Sequence, residues 1–309
     1  MATKTTKNID EYLHSLNING LRGRMLRLPA PKGKDKELLV VYGHHASIER
    51  LYGLALELNR YGTVTMPDLP GFGGMDSFYR IGKKPSLDNL ADYLATFIKL
   101  RYKNKRITVM GMSLGFLIVT RMLQRYPDLA KKVDLLVSTV GFVHHDEFRF
   151  KRRNYLIFRY TSSFFSNWLP ALFLKYVVLR PGIIRHTYNR VADTHSKLKD
   201  ANEAEKKLRI DFEIVLWQSN DIRTYMDTSV TMLTADLCNM QVDLPVCHIA
   251  VKDDRYFNND IVAQHLKIIY SKVTIMESVV SAHAPTVIAT AKDIAPFMPQ
   301  KLRRLLAKR

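Results

Sequence analysis

Short runs of consecutive apolar residues alternate along the first half of the chain with apolar residues at helical spacing. The apolar runs, typical of strands buried on both faces, lie at 38–42, 63–66, 106–110 and 133–140. The amphipathic helical patterns lie at 48–58, 87–98 and 114–125. Alternation of this kind predicts an α/β fold, a mainly parallel central sheet with helices on both faces. An Asn-Gly pair within 18–28 indicates an additional N-terminal hairpin.

The pattern changes after Gly141. Residues 142–229 are helical in pattern, aromatic and basic, and they lack buried-strand runs. A strand pattern returns at 244–251, followed by a helix at 260–270, a strand at 272–276 and a last helix after Pro285. We therefore predict a core interrupted by an inserted helical cap. The predicted divisions are the first part of the core at 1–141, the cap at 142–230 and the second part of the core at 231–309.

Composition indicates a globular protein in a reducing compartment. Hydrophobic residues make up 47% and charged residues 25% of the 309. The two cysteines, Cys238 and Cys247, have no CxxC spacing, which argues against a disulfide scaffold or a cysteine zinc site. The N-terminus has no apolar run of a signal peptide, and polar residues interrupt the most apolar stretch, 155–179. We expect a cytoplasmic protein, with peripheral attachment to a membrane as an open alternative.

The net charge of +18 attracts anionic partners. The chain has no zinc-finger spacing, RNA-binding signature or phosphate-binding loop ending in Lys-Ser/Thr, so nucleic acid is not an expected partner. A solvated basic surface is the simplest interpretation. As an explanation of the charge, contact with an anionic membrane surface ranks above nucleic-acid binding and below a solvated basic surface.

The pentapeptide GMSLG at 111–115 is the most informative motif. It follows a β-branched strand and opens an amphipathic helix, the strand–turn–helix that a G-x-S-x-G nucleophile requires. The glycines permit a sharp turn, and the helix N-terminus favours developing negative charge. We predict that Ser113 is a nucleophile. The alternative, a serine that only caps the helix, is the weaker interpretation.

A serine hydroxyl needs a general base, and ten histidines compete for that role. His283 lies just after the last predicted strand and before the last helix, so its imidazole should reach the sheet edge that carries Ser113. The competing histidines lie in a helix, in a strand or in the cap: His265, His248, His144, His145, His186 and His195.

The imidazole needs a carboxylate that fixes its tautomer. Asp253 and Asp254 follow the strand that ends at Val251, and only one of these neighbours can point at His283. Asp146 is the reserve candidate. A turn or helix-cap role is the alternative for each aspartate.

The backbone amides of Leu114 and His44 are the predicted oxyanion donors, because one follows the nucleophile and the other follows the strand at 38–42. We assign substrate contacts to His45, Met112 and Phe116. Neither a metal nor a cofactor is expected: the side chains of His44 and His45 diverge, and no acidic residue lies close to them in sequence.

Together these motifs resemble the α/β-hydrolase superfamily, specifically its capped serine members, over about 18–141 and 240–305. DLPGFG at 68–73 is similar to the superfamily's loop after its fourth strand, and the order Ser113, Asp254, His283 matches its triad order. Its Gly-x-x-Asp motif aligns with Val251 to Asp254, and this alignment favours Asp254 over Asp253.

Three positions depart from the superfamily pattern. Tyr42-Gly43 replaces the frequent His-Gly oxyanion motif, Phe116 occupies a position that often holds glycine, and Val251 replaces the glycine before the acid. None removes a catalytic atom, although Phe116 could crowd the helix–sheet contact. The serine argues against the dehalogenase and epoxide hydrolase branches, which use an aspartate nucleophile.

The resemblance implies a serine hydrolase that cleaves carboxylic esters through an acyl-enzyme. Alternatives are a catalytically silent binding or scaffold protein, and an acyltransferase or carbon–carbon hydrolase with the same triad. The aromatic and basic cap fits either a helix in a membrane interface or the roof of an apolar pocket. We adopt the interpretation that the cap roofs an apolar pocket. It implies a small-molecule ester substrate with an apolar acyl group. The basic rim would tolerate an anionic headgroup, so the substrate could be a lipid such as a lysophospholipid.

Overall fold

An eight-stranded sheet forms the centre of the computed structural model, which describes residues 8–190, 202–252, 254–278 and 291–308. The strands are β1 (Leu13–Ile18), β2 (Leu21–Leu28), β3 (Lys36–Val41), β4 (Gly62–Pro67), β5 (Ile107–Met112), β6 (Val133–Thr139), β7 (Val242–Val251) and β8 (Tyr270–Ser278). Their order in the sheet is β1-β2-β4-β3-β5-β6-β7-β8. β1 and β2 form an antiparallel hairpin, β2 is antiparallel to β4, and the remaining pairs are parallel. The predicted α/β fold is confirmed.

The hairpin turn follows from its two central residues. Asn19 has φ 52° and Gly20 has φ 82°. Positive φ at both positions is the requirement of a type I′ turn, whose twist matches that of the flanking strands. The Asn-Gly pair thus predicts this turn correctly.

The helices of the described residues connect and cover the strands. They are α1 (Tyr52–Leu58), α2 (Leu87–Arg101), α3 (Leu114–Arg125), α4 (Pro127–Ala130), α5 (Arg152–Phe165), α6 (Trp168–Phe173), α7 (Pro181–Arg190), α8 (Glu203–Ser219), α9 (Ile222–Thr234), α10 (Asn259–Ile269), α11 (Ala291–Ile294) and α12 (Gln300–Ala307). One turn of π-helix, Leu174–Val178, follows α6. Among these described helices, none has the length and apolar character needed to cross a membrane.

The central strands are buried on both faces, as their apolar runs predict. Every residue of β4 and β5 is buried, and so is every residue of β3 after the first. Strands with both faces covered need helices on both sides of the sheet. α2 packs against α3, and α1 packs against α11.

The connections reverse direction around β3. The chain leaves β3 towards β4 on one side, whereas it leaves β5 towards β6 on the other. Because parallel crossovers are right-handed, α1 and α3 then lie on opposite faces of the sheet. Such a reversal opens a crevice beyond the carboxyl ends of the two strands, and ligands of open α/β sheets bind in crevices of this type.

Between β6 and β7 the regular elements of the described residues are helical and form two groups. The region around α8 and α9 is tied to the core, because the Asp221 amide donates to the Gly71 carbonyl and the Gly73 amide donates to Asn220 Oδ1. α5 packs on the outside of α9. Its Tyr155 hydroxyl donates a hydrogen bond to the carbonyl of Leu233.

The outer helices do not form the predicted pocket roof. Phe158, Phe164, Trp168 and Phe173 are 49%, 59%, 59% and 54% exposed, and α5 contains no buried residue. That expectation is wrong for these side chains. Aromatic and basic composition is shared by a pocket roof and by an outward-facing surface, so composition alone could not separate them.

Gly115 tests how tightly α3 is seated on β3. A Cβ at this position would lie 2.2 Å from the Val41 carbonyl oxygen and 2.4 Å from that of Tyr42. We expect Gly115→Ala to lower the free energy of unfolding by about 2–3 kcal/mol or more, because the backbone must shift.

The control is Gly182→Ala in α7, where a Cβ would meet nothing within 4 Å. It should be neutral or stabilise by about 0.5–1 kcal/mol, as a helical alanine does. Urea denaturation measures both variants. Equal stability of the two would contradict the assigned contact.

Candidate active site

Ser113 occupies a sharp turn between β5 and α3. Its φ is 49° and its ψ −120°, a conformation that non-glycine residues rarely adopt. Its amide donates to the Thr139 carbonyl of the neighbouring strand, and its carbonyl accepts from the amides of Phe116 and Leu117. The turn is therefore held from both sides, and it presents a half-buried serine at the carboxyl end of the sheet.

The glycines on either side make this turn sterically feasible. A Cβ on Gly111 would lie 2.6 Å from the Phe116 Cα, and one on Gly115 would collide with the end of β3. Real Cβ atoms do not approach backbone this closely. The G-x-S-x-G spacing is thus a packing requirement of the turn.

The Ser113 side chain does not cap α3. Its oxygen accepts no capping hydrogen bond, whereas the Ser86 oxygen at the start of α2 accepts from the Asn89 amide. The two serines precede similar amphipathic helices but differ in function. Ser113 leaves the N-terminal amides of α3 available to a developing negative charge.

The loop after β3 lies against the serine turn. A Cβ on Gly43 would lie 3.0 Å from the Ser113 Cβ and 3.0 Å from the Met112 carbonyl oxygen. Glycine in this loop therefore permits the close approach. Among the described residues, no acceptor is found for the amides of His44 and Leu114, the two predicted oxyanion donors.

The His44 side chain contacts α9. Its Nε2 lies 3.1 Å from the Tyr225 carbonyl oxygen and 3.1 Å from the Thr228 hydroxyl. Burial lowers the pKa of His44 to about 3. The imidazole is therefore neutral and donates a hydrogen bond from Nε2. This bond links the loop after β3 to α9.

His45 is strained and linked to α8. Its φ is 54°, and its Nε2 lies 2.8 Å from Oε2 of the buried Glu213. Arg50, also buried, donates from Nη1 to the His45 carbonyl at 2.8 Å. The predicted substrate residue His45 thus belongs to a polar cluster between the loop and α8.

Backbone strain concentrates at one edge of the sheet. Among the described residues, four non-glycine residues have positive φ, and three of them follow the ends of β3, β5 and β6: His45, Ser113 and Val140. The fourth is Asn19 in the hairpin turn. Strain of this kind persists where the surrounding structure enforces it, and it clusters at active sites.

Asp254 follows β7 at the same edge and is 2% exposed. Its Oδ1 accepts from the amides of Tyr256 at 2.7 Å and Phe257 at 3.2 Å. Its own amide donates to the Val251 carbonyl, and its carbonyl accepts from Arg149. The carboxylate therefore has a fixed orientation.

Asp146, the reserve acid, has different surroundings. Its side chain is 69% exposed, and its carboxylate oxygens lie 3.7 Å from His144 Nδ1 and 3.4 Å from His145 Nε2. These three residues bring potential metal-ligand atoms within 4.8 Å of one another. Asp146 is thus already engaged at the surface.

Residues 253 and 279–290 lie outside the described part of the chain, and they include the predicted base His283 and the alternative predicted acid Asp253. The described residues show where β8 ends. Ser278, its last residue, pairs with Val251 of β7. Since β7 and β8 are parallel, β8 ends at the same carboxyl end of the sheet as β5 and β7, which precede Ser113 and Asp254.

Met112 and Phe116 have different environments. Met112 borders a cavity of about 30 Å³, lined by apolar side chains that include Leu54, Val140 and Ile249. Phe116 is fully buried in the helix–sheet contact, where its ring lies 5.9 Å from that of Tyr270. We therefore leave Phe116 out of the proposed substrate contacts.

The predicted crowding by Phe116 is relieved by a glycine. A Cβ on Gly141, two residues after β6, would lie 2.5 Å from the Phe116 ring. The larger side chain on α3 thus occupies space that is free because residue 141 is glycine.

Burial strongly raises the pKa of two carboxyl groups that the sequence analysis does not assign to the site. Asp68 accepts from the Tyr42 hydroxyl at 2.9 Å and from Arg24 Nε at 2.8 Å, and burial raises its pKa to about 7. Glu147 lies 2.8 Å from His265 Nδ1, and burial raises its pKa to about 8. DLPGFG marks the first group in the sequence, but no local signal marks the second.

With this geometry established, comparison with known proteins identifies the family. The family described as alpha/beta hydrolase fold matches residues 38–263, and the chain belongs to it. No curated protein sequence matches the chain.

Solved structures share the fold. An esterase from Exiguobacterium antarcticum is 12% identical with a TM-score of 0.60, covering 84% of this chain and 88% of that one. A carboxylesterase structure from Nitrososphaera gargenis is 14% identical (TM-score 0.60; 95% and 96% covered). Epoxide hydrolase CorEH is 15% identical (TM-score 0.60; 95% of each covered). At these identities the likeness concerns the fold.

Burial of His248 in β7 should make the free energy of unfolding depend on pH. His248 lies with Nδ1 2.8 Å from the Ser138 hydroxyl, and burial lowers its pKa to about 4, an effect that Asp254 partly offsets. A histidine with a depressed folded pKa contributes stability above its unfolded pKa of about 6.5 that is lost as pH falls towards the folded value. We expect a loss on the order of 2–3 kcal/mol between these limits.

The variant His248→Asn, which does not titrate, should be less stable than wild type at pH 7. The difference in free energy of unfolding between the two proteins should narrow as pH falls to 4, because only wild type loses stability through His248. The effect of His44 on stability is the same in both proteins. Urea denaturation across this range measures it. Parallel stability curves for the two proteins would show that His248 is not the titrating group.

Proposed function

We propose that this protein is a serine hydrolase that cleaves carboxylic esters through an acyl-enzyme. The observation that carries the proposal is the strained, uncapped Ser113 turn at the N-terminus of α3. Positive φ occurs at Ser113 and also at His45 and Val140, which follow β3 and β6. Backbone strain of this kind is expected at an active site. Family membership supports the assignment.

In the proposed mechanism His283 removes the Ser113 proton as Oγ attacks the ester carbonyl carbon. The carbonyl oxygen becomes an oxyanion, which the amides of His44 and Leu114 stabilise by hydrogen bonds. Collapse expels the alcohol, which takes the proton from His283, and leaves an acyl-enzyme. Water, deprotonated by His283, then attacks the acyl carbonyl carbon; the bond to Ser113 Oγ breaks, Oγ takes the proton back from His283, and the acid is released.

Asp254 is the proposed partner of His283. Its two amide donors to Oδ1 support this role, because they favour the ionised carboxylate and hold it in one orientation. The proposed contact to the imidazole is made by the second oxygen, Oδ2. The exposed Asp146, engaged with His144 and His145, fits the role less well.

The other core histidines have structural partners of their own. His248 is bonded to Ser138, His265 to Glu147, and His44 to Tyr225 and Thr228. Each of these side chains would have to leave its partner to serve Ser113. His283 is the proposed base because it follows β8 in the sequence, and β8 ends at the carboxyl end of the sheet that carries Ser113.

The proposed substrate has an apolar acyl group. Met112, next to Ser113, and Val140, just after β6, border a small apolar cavity. The His45–Glu213 contact would face the polar part of the substrate. A preference for short, polar acyl groups across a panel of chromogenic esters would contradict this part of the proposal.

Ser113→Ala tests the nucleophile. It should abolish labelling by a fluorophosphonate and lower ester hydrolysis by roughly 10⁴-fold or more, because the reacting oxygen is removed. Labelling is followed by mass spectrometry of the intact protein, and hydrolysis with chromogenic esters.

The control is Ser86→Ala. It removes a helix cap and should cost about 1 kcal/mol of stability while labelling persists. Retained labelling in the folded Ser113→Ala protein would refute the nucleophile assignment. Absence of labelling in the folded wild-type protein would favour the scaffold alternative, whereas labelling without turnover of any ester would favour the acyltransferase or carbon–carbon hydrolase.

Asp254→Asn tests the acid. The amide can still accept from Tyr256 and Phe257, so the turn should persist while kcat falls by about 10⁴-fold through loss of the correct imidazole tautomer. Asp146→Asn should leave kcat within about twofold of wild type, since surface substitutions have small effects. Steady-state kinetics of both variants decide between them, and the reverse pattern would transfer the role to Asp146.

A further inference from the structure

The outer helices of the region between β6 and β7 carry an unusual surface. Twelve of the eighteen large exposed hydrophobic side chains in the described residues lie between 156 and 183. Trp168, Leu169 and Phe173 on α6 are 54–66% exposed. We call the exposed face of residues 152–183 the α5–α7 surface. Contiguous apolar area of this kind marks a site of interaction.

The exposed residues of α5 form a stripe. Leu156, Ile157, Tyr160 and Phe164 recur at the spacing of one helix face, and they are 36–68% exposed. The opposite side of α5 faces α9 through Tyr155. The helix is thus anchored on one side and apolar on the other.

The charge of this region has one sign. Residues 149–190 contain nine lysines and arginines and no aspartate or glutamate, in a chain with 47 basic and 29 acidic residues. Arg152, Arg153 and Arg159 flank the apolar stripe, are exposed, and form no ion pair within the described residues. An apolar face bordered by unpaired cations is the composition of a helix that lies in an anionic membrane interface.

The same charge distribution argues against a second copy of the chain as the partner. A symmetric dimer through this surface would bring two sets of arginines together with no acidic group of this region to neutralise them. The exposed leucine, isoleucine and phenylalanine side chains provide no hydrogen-bond donors or acceptors for a polar partner. A lipid bilayer with anionic headgroups satisfies both the apolar stripe and the cations.

We propose that the α5–α7 surface binds the face of an anionic lipid bilayer, with its aromatic and aliphatic side chains in the interface and its arginines at the headgroups. The surface is connected to the candidate active site through α9, which contacts α5 at Leu233 and the His44 side chain at Tyr225 and Thr228. Docking would therefore hold the site beside lipid substrates. That consequence rests on the proposed function, whereas bilayer binding does not.

The experiment is flotation of the full chain with phosphatidylcholine vesicles and with vesicles containing roughly one-third phosphatidylglycerol. We expect binding to the anionic vesicles that weakens steeply with added salt, and little binding to phosphatidylcholine alone. Ile157→Ser, Phe164→Ser and Trp168→Ser combined should weaken binding by about tenfold or more, because apolar area drives insertion.

Two further variants make the test specific. Arg152→Glu with Arg153→Glu should reduce affinity for anionic vesicles by about fivefold or more per residue and leave fluorophosphonate labelling of Ser113 intact. The matched control, Leu208→Ser with Val215→Ser, changes side chains that are 54% and 57% exposed on α8 and should bind like wild type. Thermal melts confirm that each variant is folded.

Absence of binding to either vesicle type would overturn the proposal. So would wild-type binding by the folded triple variant, or a concentration-dependent dimer that the triple variant abolishes without any vesicle binding. If the wild-type protein binds anionic vesicles but is not labelled by the fluorophosphonate, only the proposed function is contradicted.

Discussion

The serine turn depends on the close packing of β3 against the start of α3. Gly115 lies directly on the last carbonyls of β3, and Gly43 lies directly on Ser113. These two approaches bring the loop after β3 and the N-terminus of α3 close to the serine turn. Any side chain at either glycine would separate them. The positive φ of Ser113 is the local cost of this arrangement, and the parallel strands on both sides hold it in place.

Polar contacts extend the same constraint into the helices above the sheet. His44 is neutral and bonded to α9, while His45 lies against Glu213 of α8 with Arg50 nearby. Partners buried this deeply are costly to separate, because each would be left without its counter-charge or acceptor. The loop that carries a proposed oxyanion donor therefore has little freedom of its own. Movement of α8 and α9 would be transmitted directly to it.

Local patterns predicted the fold and the serine turn because their causes are local. Apolar runs define buried strands, Asn-Gly defines the hairpin turn, and glycine spacing defines the turn at Ser113. The Glu147–His265 and His45–Glu213 contacts join residues far apart in sequence, and no local pattern encodes them. The outward orientation of Phe164 and Trp168 was missed for a related reason: composition describes a helix face but does not say what covers it. The catalytic roles of His283 and Asp254 remain predictions.

The central claim is that Ser113 and two backbone amides act on the same carbonyl group. A crystal structure of the protein after reaction with a phosphonate ester tests it most directly. The account predicts phosphorus bonded to Ser113 Oγ, with the phosphoryl oxygen within hydrogen-bonding distance, about 2.7–3.1 Å, of the amides of His44 and Leu114. An adduct on another residue, or a phosphoryl oxygen that faces away from both amides, would contradict it.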